Sequence, residues 1–325
     1  MAHLILTVTD IQVETPIIRS LVLEAANGQA LPAFTAGAHV KVTIPGQAVP
    51  RCYSLVCLDA DQTSFDAPER YRIGVRLEEP GTGGSRHMHG LKIGDTLQVE
   101  GPKNDFPLHD MATGESRTVL IAGGIGITPI ISMTTALHHA QRPYELHYYG
   151  RSRDQMGFLE ALTARHGDAL QIHADDDATT QLALRDLLQK MEPSQHLYVC
   201  GPKGLIDAVI EQSRNLQWPP SQVHFEVFTS AAAMTGDKAF DVELRQSGRT
   251  LHIPADKTIL DVLEEAGCDP MYDCRRGECG VCQATVLEGI PDHRDHYLSD
   301  SERKAGEVMQ ICVSRSHSDR LVLDL

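Results

Sequence analysis

Four of the eight cysteines lie close together in the last part of the chain. Cys274, Cys279 and Cys282 follow the pattern C-x4-C-x2-C, and Cys312 comes thirty positions after Cys282. This spacing is typical of plant-type ferredoxins, in which four thiolates hold a 2Fe-2S cluster. Zinc sites more often combine two C-x2-C modules. The spacing therefore predicts a 2Fe-2S cluster, and the alternatives are a zinc site or four reduced buried cysteines.

The residues between these cysteines also fit a cluster. Gly277 and Gly280 lie in the loop, where we expect a side chain to crowd the cluster. Arg275 and Arg276 follow Cys274 directly. We expect them either to screen the negative charge of the cluster or to recognise an acidic patch on a partner protein.

Glycines mark a turn in the middle of the chain. Gly123, Gly124 and Gly126 fall where the apolar run TVLIAG leads into a helical segment. Backbone amides at such a strand-to-helix turn can bind a pyrophosphate. We expect Thr128 to cap the helix. The alternative is a turn with a structural role only.

A second turn of this kind, Cys200-Gly201-Pro202, follows the apolar strand HLYV. Because parallel strands bind ligands at their C-terminal ends, both turns are expected to line one crevice. Cys200 would then pack beside a nicotinamide ring. Otherwise it is a small residue that ends a buried strand.

The N-terminal part carries two signals for a flat, phosphorylated ligand. Arg51, Tyr53 and Ser54 lie on one strand and supply a cation, an aromatic ring and a hydroxyl. They can bind a heterocycle and its phosphate, or form an ordinary strand with a surface arginine. The second signal is the turn formed by Gly83, Gly84 and Ser85. Its amides and hydroxyl suit a phosphate monoester, and the alternative is a plain hairpin turn.

The order of elements predicts three regions. The first hundred residues show short strands with Pro and Gly turns, typical of an antiparallel barrel or sandwich. From Arg117, apolar strands alternate with helical stretches, which predicts a parallel sheet covered on both faces. After the small, polar segment TSAAAMTGDKA, two alternating strands and an amphipathic helix precede the cysteine loop.

Composition narrows the function. The 325 residues include 44 acidic and 29 basic ones, a net charge of −15, which argues against a general binder of nucleic acid or of an anionic membrane. We find no signal-like N-terminus and no apolar run of about 18 residues, so we expect a cytoplasmic protein. Eight cysteines are too few for a disulfide scaffold of this length.

Taken in order, RCYSL, GTGGS, NDFPL, GGIGITP, CGP and CRRGECGVC resemble the phthalate dioxygenase reductase family, which includes vanillate demethylase reductases. The resemblance covers essentially the whole chain. It implies a flavin-binding antiparallel β-barrel at 1–110, an NAD-binding α/β domain at 111–229, a linker at 230–237 and an α+β (β-grasp) 2Fe-2S ferredoxin domain at 238–325.

The resemblance also implies residue roles. Arg51, Tyr53 and Ser54 would contact FMN, and the GTGGS turn would hold its phosphate, while the GGIGITP and CGP loops would bind NADH. Phe228 would stack on the flavin, or else pack in the interdomain core. Cys52 and Thr82 differ from the residues expected at their positions, which puts the phosphate affinity in question.

These cofactors predict a path for electrons. A hydride delivers two electrons and the cluster accepts one at a time, so a flavin is needed to divide the pair. We expect NADH to reduce FMN, then the cluster, then a terminal Rieske-type oxygenase of aromatic catabolism, with Ser54, Cys200 and Phe228 beside the reacting rings. The alternatives are a stand-alone oxidoreductase for small or protein acceptors and a redox sensor without turnover.

The end of the second parallel strand carries a signal for NADPH rather than NADH. Arg151 and Arg153 lie there, and arginines at that position can bind the 2′-phosphate of NADPH. We nevertheless favour NADH and expect Arg153 to pair with Asp154 or to face solvent. The sequence does not reveal the substrate of the partner oxygenase.

Overall fold

The computed structural model describes residues 2–47, 49–58, 63–79, 81–109, 117–192, 195–228, 234 and 236–325, without the side chains of 63 and 64. The chain divides into two compact units, Met1–Glu226 and Val227–Leu325. The predicted boundary at 110/111 and most of the predicted linker at 230–237 lie outside the described residues. Among the described residues, no helix is long and apolar enough to cross a membrane.

The first unit begins with an antiparallel sheet and two short helices. Its elements are β1 (His3–Thr15), β2 (Ile18–Ala25), β3 (His39–Val42), β4 (Arg51–Ser54), α1 (Thr63–Asp66), β5 (Arg70–Arg76), α2 (Gly84–Gly90) and β6 (Thr96–Lys103). The strand order is β4-β3-β6-β1-β2-β5, and all neighbours are antiparallel. The prediction of an antiparallel sheet is confirmed.

The closure of this sheet differs from the prediction of a closed barrel. In the part of the chain that is described, a single antiparallel bridge, Leu55–Ile73, joins the two sheet edges. The Val56 N–H also donates to the Arg72 carbonyl oxygen, at 2.8 Å. Because β4 is only four residues long, it does not form a continuous ladder with β5.

The first unit continues with a parallel α/β arrangement. Its elements are β7 (Thr118–Gly123), α3 (Ile127–His139), β8 (Tyr144–Gly150), α4 (Leu159–His166), β9 (Leu170–Ala174), α5 (Leu184–Gln189), β10 (Leu197–Cys200), α6 (Lys203–Asn215) and β11 (Val223–Glu226), with 3-10 turns at Gly124–Gly126, Arg153–Gln155, Gly167–Ala169 and Pro220–Gln222. The strand order is β11-β10-β7-β8-β9, all parallel. The order reverses between β7 and β10, and such switch points bind ligands in open α/β sheets.

The second unit is a mixed α+β fold, as predicted. Its elements are β12 (Phe240–Leu244), β13 (Arg249–Ile253), α7 (Ile259–Glu265), β14 (Gln283–Glu288), β15 (Pro291–Asp292), α8 (Asp300–Ala305), β16 (Val308–Gln310), β17 (Arg315–Ser316) and β18 (Arg320–Leu323). The main sheet has the order β13-β12-β18-β14-β16, and β15 pairs with β17. The cysteine loop lies between α7 and β14, and Cys312 follows β16 directly.

Candidate cofactor sites

The four predicted cluster cysteines form two neighbouring pairs. Burial raises the pKa of Cys279, and the side chain of Cys274 acts on it at hydrogen-bonding range. A hydrogen bond with Cys282 and burial raise the pKa of Cys312, and the same bond lowers the pKa of Cys282 to about 7. Two pairs of thiols fit a cluster in which each of two irons takes two thiolates.

Backbone and side-chain contacts hold these ligands in place. The Arg276 N–H donates to Cys274 Sγ at 3.3 Å, and Cys282 Sγ lies 3.4 Å from Gln310 Oε1. Hydrogen bonds to sulfur are one means by which a protein tunes a 2Fe-2S cluster.

The described ranges contain no group of three or more His, Cys, Asp or Glu side chains arranged to hold a single metal ion.

The two glycines of the cysteine loop pack closely against other residues of the second unit. Both have positive φ, +74° at Gly277 and +76° at Gly280. A Cβ at Gly277 would lie 3.0 Å from Asp295 Cα, and one at Gly280 would overlap the Tyr297 ring. Protein atoms therefore already leave no room for a side chain at either glycine, and the expectation that a side chain there would also crowd the cluster stays a prediction.

The arginines of the loop are engaged within their own unit. Arg275 donates to Asp261 Oδ1 at 3.3 Å and to the Glu264 carboxylate. Arg276 is buried, and its Nε lies 3.4 Å from Glu278 Oε2. Both guanidinium groups face carboxylates of this chain, which counts against the alternative in which they recognise an acidic partner.

The two nucleotide loops fit tightly into each other at the switch point. A Cβ at Gly123 would lie 2.7 Å from Pro202 Cδ. A Cβ at Gly126 would lie 2.6 Å from Gly201 N and closer still to the Cys200 carbonyl oxygen. Real Cβ atoms do not approach this closely, so Gly123, Gly126 and Gly201 allow the two backbones to touch. Cys200 itself is completely buried.

Gly124 and Thr128 differ from these packed residues. Gly124 has a φ of +53°, and no atom lies within 4 Å of the position of a Cβ there, so its backbone borders open space. α3 starts at Ile127, after Gly126 as its N-cap, without a side-chain cap. The prediction that Thr128 caps the helix is wrong, because Thr128 already lies inside it and its hydroxyl donates to the Ile125 carbonyl at 3.0 Å.

The predicted flavin strand and phosphate turn meet in the structure. Arg51 Nη2 donates to Thr82 Oγ1 at 2.8 Å, and a Cβ at Gly84 would lie 3.2 Å from Arg51 Nε. Gln47 Nε2 donates to the Thr82 carbonyl at 2.9 Å. Gly83 has a φ of +92°, which favours glycine. Gln47 was not predicted, and its PGQ turn carries no distinguishing signal.

Polar atoms next to this turn remain available for a ligand. Ser54 is buried, and its Oγ has no hydrogen-bond partner among the described residues. Ser85 Oγ accepts the Glu78 N–H at 3.1 Å and can still donate its own proton. Burial raises the pKa of Tyr53 to about 12, so its hydroxyl is protonated at neutral pH. A buried hydroxyl without a partner costs free energy, so Ser54 Oγ fits a role as a partner for the polar edge of a flavin.

Phe228 follows β11 and belongs to the second unit. Its residue surface is 37% exposed. The expectation that its ring stacks on the flavin remains a prediction.

Three features together define a flavin- and nucleotide-dependent iron–sulfur oxidoreductase. They are an antiparallel sheet whose Arg51, Ser54 and glycine turn fit a flavin, a parallel sheet with glycine loops at its switch point, and a plant-type cysteine loop. Residues 242–317 match the 2Fe-2S iron-sulfur cluster binding domain family, and residues 108–223 match the N-terminal domain of the dimethylamine monooxygenase subunit DmmA-like family.

Relatives extend this match to the whole chain. Vanillate O-demethylase oxidoreductase of Acinetobacter baylyi is 37% identical over 313 residues, 96% of this chain and 95% of the relative. The carnitine monooxygenase reductase subunit of Escherichia coli is 39% identical over 323 residues, 98% and 97% of the two chains. The solved structure of phthalate dioxygenase reductase, a modular structure for electron transfer from pyridine nucleotides to a 2Fe-2S cluster, has a TM-score of 0.74, is 35% identical and covers 100% of this chain and 98% of its own.

The chain therefore belongs to the phthalate dioxygenase reductase family. The predicted set of a flavin, a nicotinamide nucleotide and a 2Fe-2S cluster is confirmed.

Proposed function

We propose that this protein is the reductase component of a multicomponent oxygenase and passes electrons from NADH through FMN and a 2Fe-2S cluster to a terminal oxygenase of the Rieske type. The observation that carries this proposal is that one chain contains a flavin pocket, a nucleotide crevice and a four-thiol loop. An O-demethylase oxidoreductase and a monooxygenase reductase subunit among the relatives support an oxygenase as the partner.

The proposed domains are the flavin domain at 1–110, the NAD domain at 111–229 and the ferredoxin domain at 238–325. When bound, the flavin supplies the conversion of a two-electron hydride into single electrons. The Arg51 guanidinium and the amides of Gly83 and Gly84 would bind the phosphate, with the Ser85 hydroxyl. The unpartnered Ser54 Oγ would hydrogen-bond the edge of the ring.

The nucleotide would bind at the switch point between β7 and β10. The open backbone at Gly124 leaves room for the pyrophosphate, and the Gly201-Pro202 turn forms the opposite wall. Cys200 would pack beneath the nicotinamide, and Phe228 would cover the flavin. Cys274, Cys279, Cys282 and Cys312 would be the cluster ligands.

We propose NADH rather than NADPH as the electron donor. Arg151 and Arg153 follow β8 and are both exposed. An equal or better kcat/KM with NADPH would show that these arginines bind the 2′-phosphate and would overturn this choice.

Anaerobic reduction with NADH tests the proposed path. We expect the flavin to bleach first, then the cluster, and a purified Rieske oxygenase to be reduced only when the cluster is present. Acid extraction should release FMN, whereas recovery of FAD alone would overturn that assignment. Reduction of the oxygenase by a cluster-free Cys279→Ser variant at the rate of the unaltered protein would contradict the proposed path.

A further inference from the structure

A buried carboxylate lies directly beneath the cysteine loop. Asp295 has a side-chain exposure of 0%. Its Cα would be 3.0 Å from a Cβ at Gly277, and the next residue, His296, donates its N–H to the Gly277 carbonyl at 3.0 Å. The Ser314 hydroxyl, two residues after Cys312, lies 3.4 Å from Asp295 Oδ1. The carboxylate is thus fixed between the two segments that carry the cysteines.

Arg303 is a cationic neighbour of Asp295. Arg303 Nη2 lies 3.4 Å from Asp295 Oδ2, which also accepts the Leu298 N–H at 2.8 Å. Arg303 also donates from Nε to the Leu298 carbonyl at 3.1 Å, and from Nη2 to the Asp295 carbonyl. The pair joins a buried carboxylate to a partly exposed guanidinium, and Asp295 is the member that contacts both cysteine-bearing segments.

A neutral imidazole lies on another side of the carboxylate. His293 Nδ1 is 3.9 Å from Asp295 Oδ1, its side chain is 9% exposed, and neither ring nitrogen has a hydrogen-bond partner among the described residues. Burial lowers the pKa of His293, although the Asp295 carboxylate opposes this shift and Arg303 and Asp292 also act on it. At neutral pH the imidazole is uncharged and does not balance Asp295.

We infer that the buried Asp295 carboxylate, partly balanced by Arg303, sets the reduction potential of the cluster held by the overlying loop. Cluster reduction adds one electron and no atom, so a fixed negative charge nearby opposes it and a positive charge favours it. Net charge in the surroundings is one of the factors that set such potentials. Asp295 thereby makes the reduced cluster a stronger electron donor to the partner.

The inference rests on the cluster of the proposed function. Two substitutions test it, one that removes a negative charge and one that removes a positive charge. Asp295→Asn keeps the shape of the side chain and should raise the potential by about 59 mV, roughly a tenfold change in the equilibrium constant for a one-electron couple. Arg303→Gln should lower the reduction potential. Arg303→Lys keeps the charge, so its potential should stay close to that of the unaltered protein. A structural effect alone would not give opposite signs.

The measurement is a redox titration of the purified full chain, followed by visible absorption and electron paramagnetic resonance. Asp237→Asn is a matched control, because Asp237 is also a buried, ion-paired carboxylate of this unit but contacts Arg294 and Arg315. We expect little change there. An unchanged or lower potential in Asp295→Asn, or equal potentials in Arg303→Gln and Arg303→Lys, would overturn the inference.

Two further outcomes are kept distinct. If Asp295→Asn does not assemble a cluster, the comparison of Arg303→Gln with Arg303→Lys decides the inference by itself. If the unaltered protein carries no iron and labile sulfide, the proposed function fails, whereas a loaded cluster with an unchanged potential in both charge-removing variants overturns only the role of Asp295.

Discussion

The nucleotide loops and the cysteine loop are both rich in glycine, but different interactions hold them. In the nucleotide loops, the backbone at Gly126 packs directly against the backbone of Cys200 and Gly201. In the cysteine loop, Gly277 and Gly280 pack against Asp295 and the Tyr297 ring, and the arginines of the loop are paired with carboxylates, as at Arg276 and Glu278. The first site therefore depends on close packing alone and the second also on charge, so substitutions of size and of charge should affect them differently.

The largest expected effect is the loss of a cluster ligand. Cys279→Ser should abolish the cluster while flavin and NADH-dependent flavin reduction are retained, because the residues proposed to hold the flavin phosphate and ring edge, Arg51, Ser54 and Ser85, belong to the first unit. Iron and labile sulfide analysis measures the loss, and the flavin spectrum serves as the internal control. Stoichiometric zinc without labile sulfide in the unaltered protein would contradict the cluster.

Gly126→Ala should have the next largest effect, because the new Cβ would overlap the backbone at Cys200 and Gly201. Overpacking of this kind costs about 1–3 kcal/mol of unfolding free energy. We expect flavin reduction by NADH to slow at least tenfold in stopped-flow measurements. Gly204→Ala is the control, since a Cβ there has open space, and equal rates in the two variants would show that the loops do not need this contact.

The effect of Ser54→Ala on stability should have opposite signs in the flavin-free and the flavin-loaded protein. In the flavin-free protein, removal of a buried hydroxyl without a partner should stabilise the fold slightly, by about 1 kcal/mol. In the loaded protein, the same change should weaken flavin binding severalfold. Thermal unfolding with and without flavin measures both effects. Equal destabilisation in the two states would mean that the hydroxyl has a role within the protein alone.

The smallest effect is expected for the loop arginine that is partly exposed. Arg275→Gln should alter the rate of oxygenase reduction by less than about twofold at low salt, because Asp261 and Glu264 already engage the guanidinium. Rates measured across ionic strength test this. A large decrease that disappears at high salt would restore recognition of an acidic partner as the role of Arg275.

The sequence predicted elements and cofactors better than it predicted local contacts. Spacing identified the cysteines, and periodicity identified the strands and helices, because both are local in the chain. It did not reveal that the ring of Tyr297, seventeen positions later, leaves no room for a side chain at Gly280, or that Asp295 packs against Gly277. It misplaced the helix cap at Thr128, because the start of α3 depends on the 3-10 turn at Gly124–Gly126. Such contacts depend on tertiary packing between distant segments.

The interlocked backbones at Gly123, Gly126 and Gly201 also have a thermodynamic consequence. Loops that are already held against each other lose little conformational entropy when a ligand arrives. Nucleotide binding at this crevice should therefore require little ordering of the loops. Their backbone amides should exchange slowly with deuterium before the nucleotide is added as well as after it.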